Sequence, residues 1–156
     1  MSVLRFELVD EQATEGLGKL IARALPSSSA CFHVNLVGDL GAGKTTLVRG
    51  VLRALGYTGR VKSPTYPLLE TYSLSDRSLN HFDLYRLETP EAFTEAGFDD
   101  YFSVPGVCFV EWPDCATGYL PLPDWVVTLT ATDRGGRMVD IEARSPQGRC
   151  CLEQMA

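Results

Sequence analysis

From Cys31 to Ala54 the chain runs from a short apolar segment, Cys31-Phe32-His33-Val34-Asn35-Leu36-Val37, through an octapeptide rich in glycine into a segment of helical periodicity. The octapeptide, Gly38-Asp39-Leu40-Gly41-Ala42-Gly43-Lys44-Thr45, is a full match to GxxxxGK[ST], placed between strand and helix as that pattern requires. Few features restrict a fold more. The glycines let the backbone wrap closely around an anion, since a Cβ at the tightest points would collide or refuse the needed dihedrals. The helix that follows adds its partial positive end. Lys44 supplies a mobile cation for the β- and γ-phosphates, Thr45 a hydroxyl for magnesium, and Thr46 continues the first helical turn. A glycine-rich turn that merely caps a helix is the bland alternative, and the match of pattern and context argues against it.

The surrounding pattern predicts an α/β protein of the P-loop NTPase type, three-layered, with a mixed sheet that has a parallel core and antiparallel edge strands. With 156 residues and 45% apolar composition, the chain suits one domain over 1–156. Leu4, Phe6 and Leu8 alternate as in a strand, and Asp10 is placed to cap a helix with apolar face Leu17, Leu20, Ile21 and Ala24. The loop helix is expected to end near Gly56. Extended segments follow at 60–62 and 68–72, then a turn near Ser75 to Arg77 and a strand over 79–84. Thr89 and Pro90 fit an N-cap and first helical position. Val107 to Val110 has the length of a buried strand. Segments 125–131 and 138–143, joined across Gly135 and Gly136, predict a closing hairpin.

A phosphate-binding loop also needs acids that hold metal-bound water or position the attacking one. Asp83 closes Asn80-His81-Phe82-Asp83 and Glu111 closes Val107-Cys108-Phe109-Val110-Glu111, so each carboxylate leaves a strand at its C-terminal end, where such sheets bind ligands. Pairing of Asp83 with Arg86, or a solvated strand end at Glu111, are the structural alternatives. Trp112 is suited equally to covering the nucleotide or to simple packing. His81 shares strand parity with Asp83, yet a hydrogen-bonded structural histidine is favoured over a catalytic base. His33, inside a central strand, is given no role. Ser63-Pro64-Thr65-Tyr66 lies where nucleotide switches place a hydroxyl-bearing loop, although by itself it is a weak pattern.

A net charge of −6 disfavours tight direct binding of nucleic acid, which usually needs a basic face. The five cysteines, Cys31, Cys108, Cys115, Cys150 and Cys151, have no CxxC spacing and suggest neither a disulfide framework nor zinc. They read as small buried residues, with Cys150 and Cys151 as exposed thiols of a polar tail. Neither a long apolar run nor a secretory start is seen, so a cytoplasmic protein is expected.

Taken together, Gly38 to Thr46, Val61-Lys62-Ser63-Pro64-Thr65-Tyr66, His81-Phe82-Asp83-Leu84-Tyr85-Arg86-Leu87 and Val110-Glu111-Trp112-Pro113 resemble, in order and spacing, the motifs of the bacterial tRNA threonylcarbamoyladenosine biosynthesis ATPase family, TsaE or YjeE. The likeness runs from about Asp10 to Arg137. It implies an ATPase that binds ATP or ADP with Mg2+ and partners the TsaD and TsaB proteins in placing threonylcarbamoyl on adenosine 37 of tRNAs reading ANN codons. By the same resemblance Lys44 and Thr45 bind phosphate and magnesium, Thr65 belongs to a switch-like loop, and Asp83 and Glu111 serve metal and hydrolysis. Trp112 would sit beside the nucleotide, and Thr14 and Arg137 would approach it from the two ends of the chain. Pro67 departs from the threonine common in relatives. The tail beyond Pro146 resembles nothing usable.

Two competing functions share this loop. A small-molecule kinase needs an acceptor pocket and an arginine-bearing lid, for which the stretch after Glu111 offers little, with Arg134 and Arg137 its sole lid-like cations. A regulatory nucleotide switch would use hydrolysis only to reset itself.

Overall fold

The computed structural model describes residues 2–27, 29–64 and 68–156, so Thr65 and Pro67 of the expected switch loop lie outside the described residues. Seven strands form one sheet: β1 (Val3–Leu8), β2 (Cys31–Val37), β3 (Leu69–Ser73), β4 (Ser78–Asp83), β5 (Gly106–Glu111), β6 (Trp125–Ala131) and β7 (Arg137–Ala143), in the order β1-β7-β6-β2-β5-β4-β3. The central strands β4, β5, β2 and β6 are parallel. The β3–β4 and β6–β7 pairs are antiparallel, and β1 adds antiparallel to β7 at the far edge. This is the expected mixed sheet with a parallel core.

Both faces of the sheet are covered. Phe32, Val34 and Leu36 of β2, with Phe109 of β5 and Leu79 of β4, pack under α1 (Glu11–Ala24), α2 (Lys44–Ala54) and α4 (Pro146–Glu153). On the other face, Phe82, Cys108 and Val110 pack with Phe93 of α3 (Ala92–Glu95) and Phe98 of the 3-10 turn that follows it. Alternation along each strand assigns residues to the two layers, so β4 and β5 are apolar on both sides. By that parity His81, Asp83 and Glu111 share the face that carries α2.

Local signals set most of the boundaries. Asp10 accepts from the backbone of Ala13 at 2.8 Å and so caps α1 as expected. Leu17, Ile21 and Ala24 are buried, but Leu20 is 42% exposed and does not belong to the apolar face assigned to it. The buried stripe is rotated toward Gly18, because α1 crosses α2 there: a Cβ on Gly18 would stand 2.7 Å from backbone atoms of Gly50 and Leu47. At Thr89 and Pro90 the chain only enters a turn, their carbonyls accepting from Ala92 and Phe93, and regular helix begins at Ala92. The tail forms α4, capped by Ser145, whose hydroxyl accepts from Gly148 at 2.8 Å and donates to Asp124 at 2.6 Å. Cys151 is therefore buried and only Cys150 is exposed, which corrects the pairing of the two as surface thiols; all five cysteines are free.

Candidate functional site

The chain leaves β2 at Val37, turns through Gly41 (φ 80°) and Gly43 (φ 104°), and enters α2 at Lys44. Both glycines occupy the left-handed region that a side chain resists. No side chain caps α2, and the first helical bond runs from Leu47 N–H to Gly43 O. The amides of Lys44, Thr45 and Thr46 therefore precede the ladder and remain available to an anion.

Beside this turn lies a cavity of about 490 Å3 lined by Thr14, Leu40, Gly41, Gly43, Lys44, Thr45, Thr46, Asp83, Glu111 and Arg137 of the expected site residues. That volume is of the size that holds a small-molecule ligand. Asp10, Glu11, Ser63 and Gly135 line it as well. Gly38, Asp39 and Ala42 lie on the loop's other side, where it forms a cleft with Thr128 to Ala131 of β6. Trp112 lies outside the lining, with its ring against Lys44.

Lys44 is held at several points. Its Nζ donates to the carbonyl of Gly38 at 2.5 Å, lies 4.1 Å from the ring centroid of Trp112, and stands 4.0 Å from Glu111 Oε1. Burial lowers its pKa from the usual lysine value, opposed by the charges of Glu111, Asp83 and Asp39. Trp112 reaches this position from a left-handed backbone (φ 57°) and packs against Tyr85 at 4.9 Å between centroids. A bulky residue held at positive φ marks a constrained junction between β5 and the next turn.

The acids converge because β4 and β5 are parallel and in register, with Asp83 opposite Glu111. Asp83 Oδ1 accepts from the backbone of Tyr85 at 3.1 Å rather than from Arg86, and burial raises its pKa above the ordinary carboxylate value. Glu111 is nearly fully buried, with Oε2 2.5 Å from His81 Nε2 and 3.4 Å from Thr45 Oγ1. Thr45 Oγ1 also shares a hydrogen with Ser63 Oγ at 2.7 Å, which brings the serine of the Ser63-Pro64 segment into the site. A hydroxyl and two carboxylates, beside free helix-end amides and an ammonium, form a donor set that would suit a hard divalent cation next to an anion.

Thr14, in the second turn of α1, and Arg137, at the start of β7, flank the loop: a Cβ on Gly43 would stand 3.8 Å from Thr14 Cγ2 and 3.5 Å from Arg137 Nε. Arg137 donates to the carbonyls of Ala42 at 2.7 Å and Gly41 at 2.8 Å, and to those of Gly136 and Gly135 beside it. It braces the loop. His33 is buried and bonded to Asn35 at 2.6 Å, with a pKa lowered to about 4 by burial, on the opposite face from the loop.

Asp10, Glu11, Gly135 and Ser63 line the cavity without having been expected as site residues. Asp10 and Glu11 sit within one turn of Thr14, and Ser63 belongs to the Ser63-Pro64 segment, so all three had a sequence signal; Gly135 had only its hairpin turn.

Comparison with known proteins agrees with this architecture. The family model for threonylcarbamoyl adenosine biosynthesis protein TsaE matches residues 8–139. The tRNA threonylcarbamoyladenosine biosynthesis protein TsaE of Haemophilus influenzae is 39% identical over 96% of this chain and 95% of its own length. Its counterpart in Bacillus subtilis is 36% identical over 78% of this chain. The crystal structure of Bacillus subtilis YdiB superposes with a TM-score of 0.83 and 28% identity, covering 99% of this chain and 94% of that one. With a family model spanning most of its length and relatives this similar, the chain belongs to the TsaE family, which takes part in the biosynthesis of threonylcarbamoyladenosine in tRNA.

Proposed function

We propose that this protein is a Mg2+-dependent ATPase that supports turnover of the threonylcarbamoyl transfer complex formed by TsaD and TsaB, acting on adenosine 37 of tRNAs that read ANN codons. The observation that carries the reading is the convergence of Lys44, Thr45, Asp83 and Glu111 on one cavity at the N-terminus of α2. The glycine turn and the free amides of Lys44 to Thr46 hold the phosphates of ATP or ADP, and Lys44 leaves the Gly38 carbonyl to neutralise them. Thr45, Asp83 and Glu111 would hold the magnesium, whose chemistry when bound is to offset negative charge on phosphate. Thr14 lies along one wall of the cavity and Arg137 keeps the loop in shape.

Hydrolysis by the isolated chain is slow. The cations lining the cavity, among the described residues, are Lys44 and Arg137, and every donor nitrogen of Arg137 is already engaged with loop or turn carbonyls. A further cation for the transition state would come from a partner, as in other P-loop enzymes whose arginine is supplied in trans. The decisive experiment reconstitutes threonylcarbamoyladenosine synthesis with and without this chain while following ATP hydrolysis. Multiple turnovers that require the chain, with hydrolysis stimulated by TsaD and TsaB, support the reading; equal hydrolysis with and without partners overturns it.

A further inference from the structure

His81 is fully buried in β4, two positions from Asp83 and on the same face. Its ring nitrogens have different surroundings. Nε2 lies 2.5 Å from Glu111 Oε2, whereas Nδ1 is buried with no hydrogen-bond partner among the described residues. An orphaned buried N–H is rarer and costlier than an orphaned acceptor, so the proton belongs on Nε2, donated to the carboxylate, and Nδ1 keeps a bare lone pair.

The other groups around Glu111 belong to the mobile chemistry of the loop. Lys44 Nζ, 4.0 Å from Oε1, and Thr45 Oγ1, 3.4 Å from Oε2, are the groups that phosphate and cation engage. His81 is different because it sits inside the sheet, on the strand paired with β5, and makes no other side-chain hydrogen bond among the described residues. We infer that His81 is a positioning residue, whose Nε2–H fixes Oε2 of Glu111 and so keeps Oε1 turned toward the loop whether or not Lys44 remains beside it. With Nε2 turned to Glu111 and Nδ1 buried, neither ring nitrogen stands open to the attacking water. This inference rests on the Mg2+-nucleotide reading of the site and adds to it the device that aims one of its acids.

Two measurements test it. Nitrogen–proton correlation spectra of the imidazoles in the nucleotide-free protein are expected to show His81 protonated on Nε2; a proton on Nδ1 alone overturns the inference. ADP binding is then titrated by calorimetry in EDTA and across Mg2+ concentrations for the wild type, His81→Leu and His81→Gln. His81→Leu is expected to bind ADP in EDTA within about twofold of wild type but to need about tenfold more Mg2+, the usual scale for losing a residue that orients a metal ligand. His81→Gln, whose amide can donate in place of Nε2, recovers most of that shift. An unchanged Mg2+ requirement in His81→Leu, an equal defect in both variants, or loss of ADP binding in EDTA overturns the positioning role. A wild type that shows no Mg2+-ADP binding removes the nucleotide reading instead, and the tautomer spectrum, taken without nucleotide, separates the two failures.

Discussion

Arg137 Nε donates to the carbonyl oxygen of Ala42 at 2.7 Å, so the first residue of β7 holds a peptide of the phosphate-binding loop across 95 positions of sequence. A trans peptide points its N–H opposite its C=O, so fixing the Ala42 carbonyl also fixes the direction of the Gly43 amide. Arg137→Ala removes this brace. Hydrogen bonds to charged groups contribute about 1.5–3 kcal/mol, so Mg2+-ADP affinity should fall by about tenfold or more. Arg137→Lys should recover little, since an ammonium cannot reproduce the guanidinium fork on neighbouring carbonyls. Calorimetry of the three proteins checks this, and wild-type affinity in Arg137→Ala would show the brace to be idle.

The crossing of α1 and α2 sets the position of Lys44 from behind. Because a Cβ on Gly18 would meet the backbone of Gly50 and Leu47 at 2.7 Å, Gly18→Ala forces the helices apart. Overpacking of this kind costs about 1–3 kcal/mol. In a chain of this length that lowers Tm by roughly 2–10 °C. Thermal unfolding by circular dichroism reads the effect, with Gly16→Ala as the control, since among the described residues a Cβ there meets nothing within 4 Å beyond its own stretch of helix.

Asp83 gives the nucleotide-free protein a pH signature. Burial raises its folded-state pKa above the ordinary value of 3.8, so the protonated form suits the fold better than the carboxylate does. That contribution is fully present below the unfolded pKa and is lost as pH rises through the raised folded value. In EDTA, Asp83→Asn should therefore unfold at a higher temperature than wild type at pH 8, by about 2 °C. The gap should shrink as pH falls through the raised folded value toward 3.8. A gap that stays constant with pH would show that the Asp83 carboxylate carries no burial cost.

Glu111→Gln keeps the shape of the side chain and removes its charge. Nucleotide binding should persist, while ATP hydrolysis in the reconstituted complex falls by at least about 100-fold, as expected for a group that handles metal or water in the transition state. Lys44→Ala should instead abolish binding, because the phosphates lose their compensating cation. Turnover of Glu111→Gln at the wild-type rate would remove Glu111 from the machinery.

Where determinants lie close in sequence, the fold could be read in advance. The glycine turn into α2, the Asp10 cap of α1 and the Gly135–Gly136 hairpin each depend on neighbouring residues. Leu20 and Cys151 could not be placed in this way. Leu20 looked inward on periodicity alone until the Gly18–Gly50 crossing turned the helix, and Cys151 is buried because α4 docks on the sheet, where Trp125 Nε1 bonds to Gly148 O at 2.8 Å and Ser145 to Asp124. Trp112 is a partial case: its motif implied a place beside the nucleotide, while its contact with the Lys44 ammonium, reached from a left-handed backbone, was not legible there.

By itself the sequence determined the chemistry of the loop, because Gly38 to Thr46 carries its dihedral freedom, its amides, its cation and its hydroxyl in one unbroken stretch. It also determined that Asp83 and Glu111 would each end a buried strand. Only the tertiary structure decided that they meet. The parallel register that sets Asp83 opposite Glu111, the diagonal that brings His81 to the same carboxylate, and the return of Arg137 to Ala42 all come from strand pairing between distant segments. Such a register is chosen by burying both faces of β4 and β5 under helices from elsewhere in the chain, and no local stretch of residues contains that information.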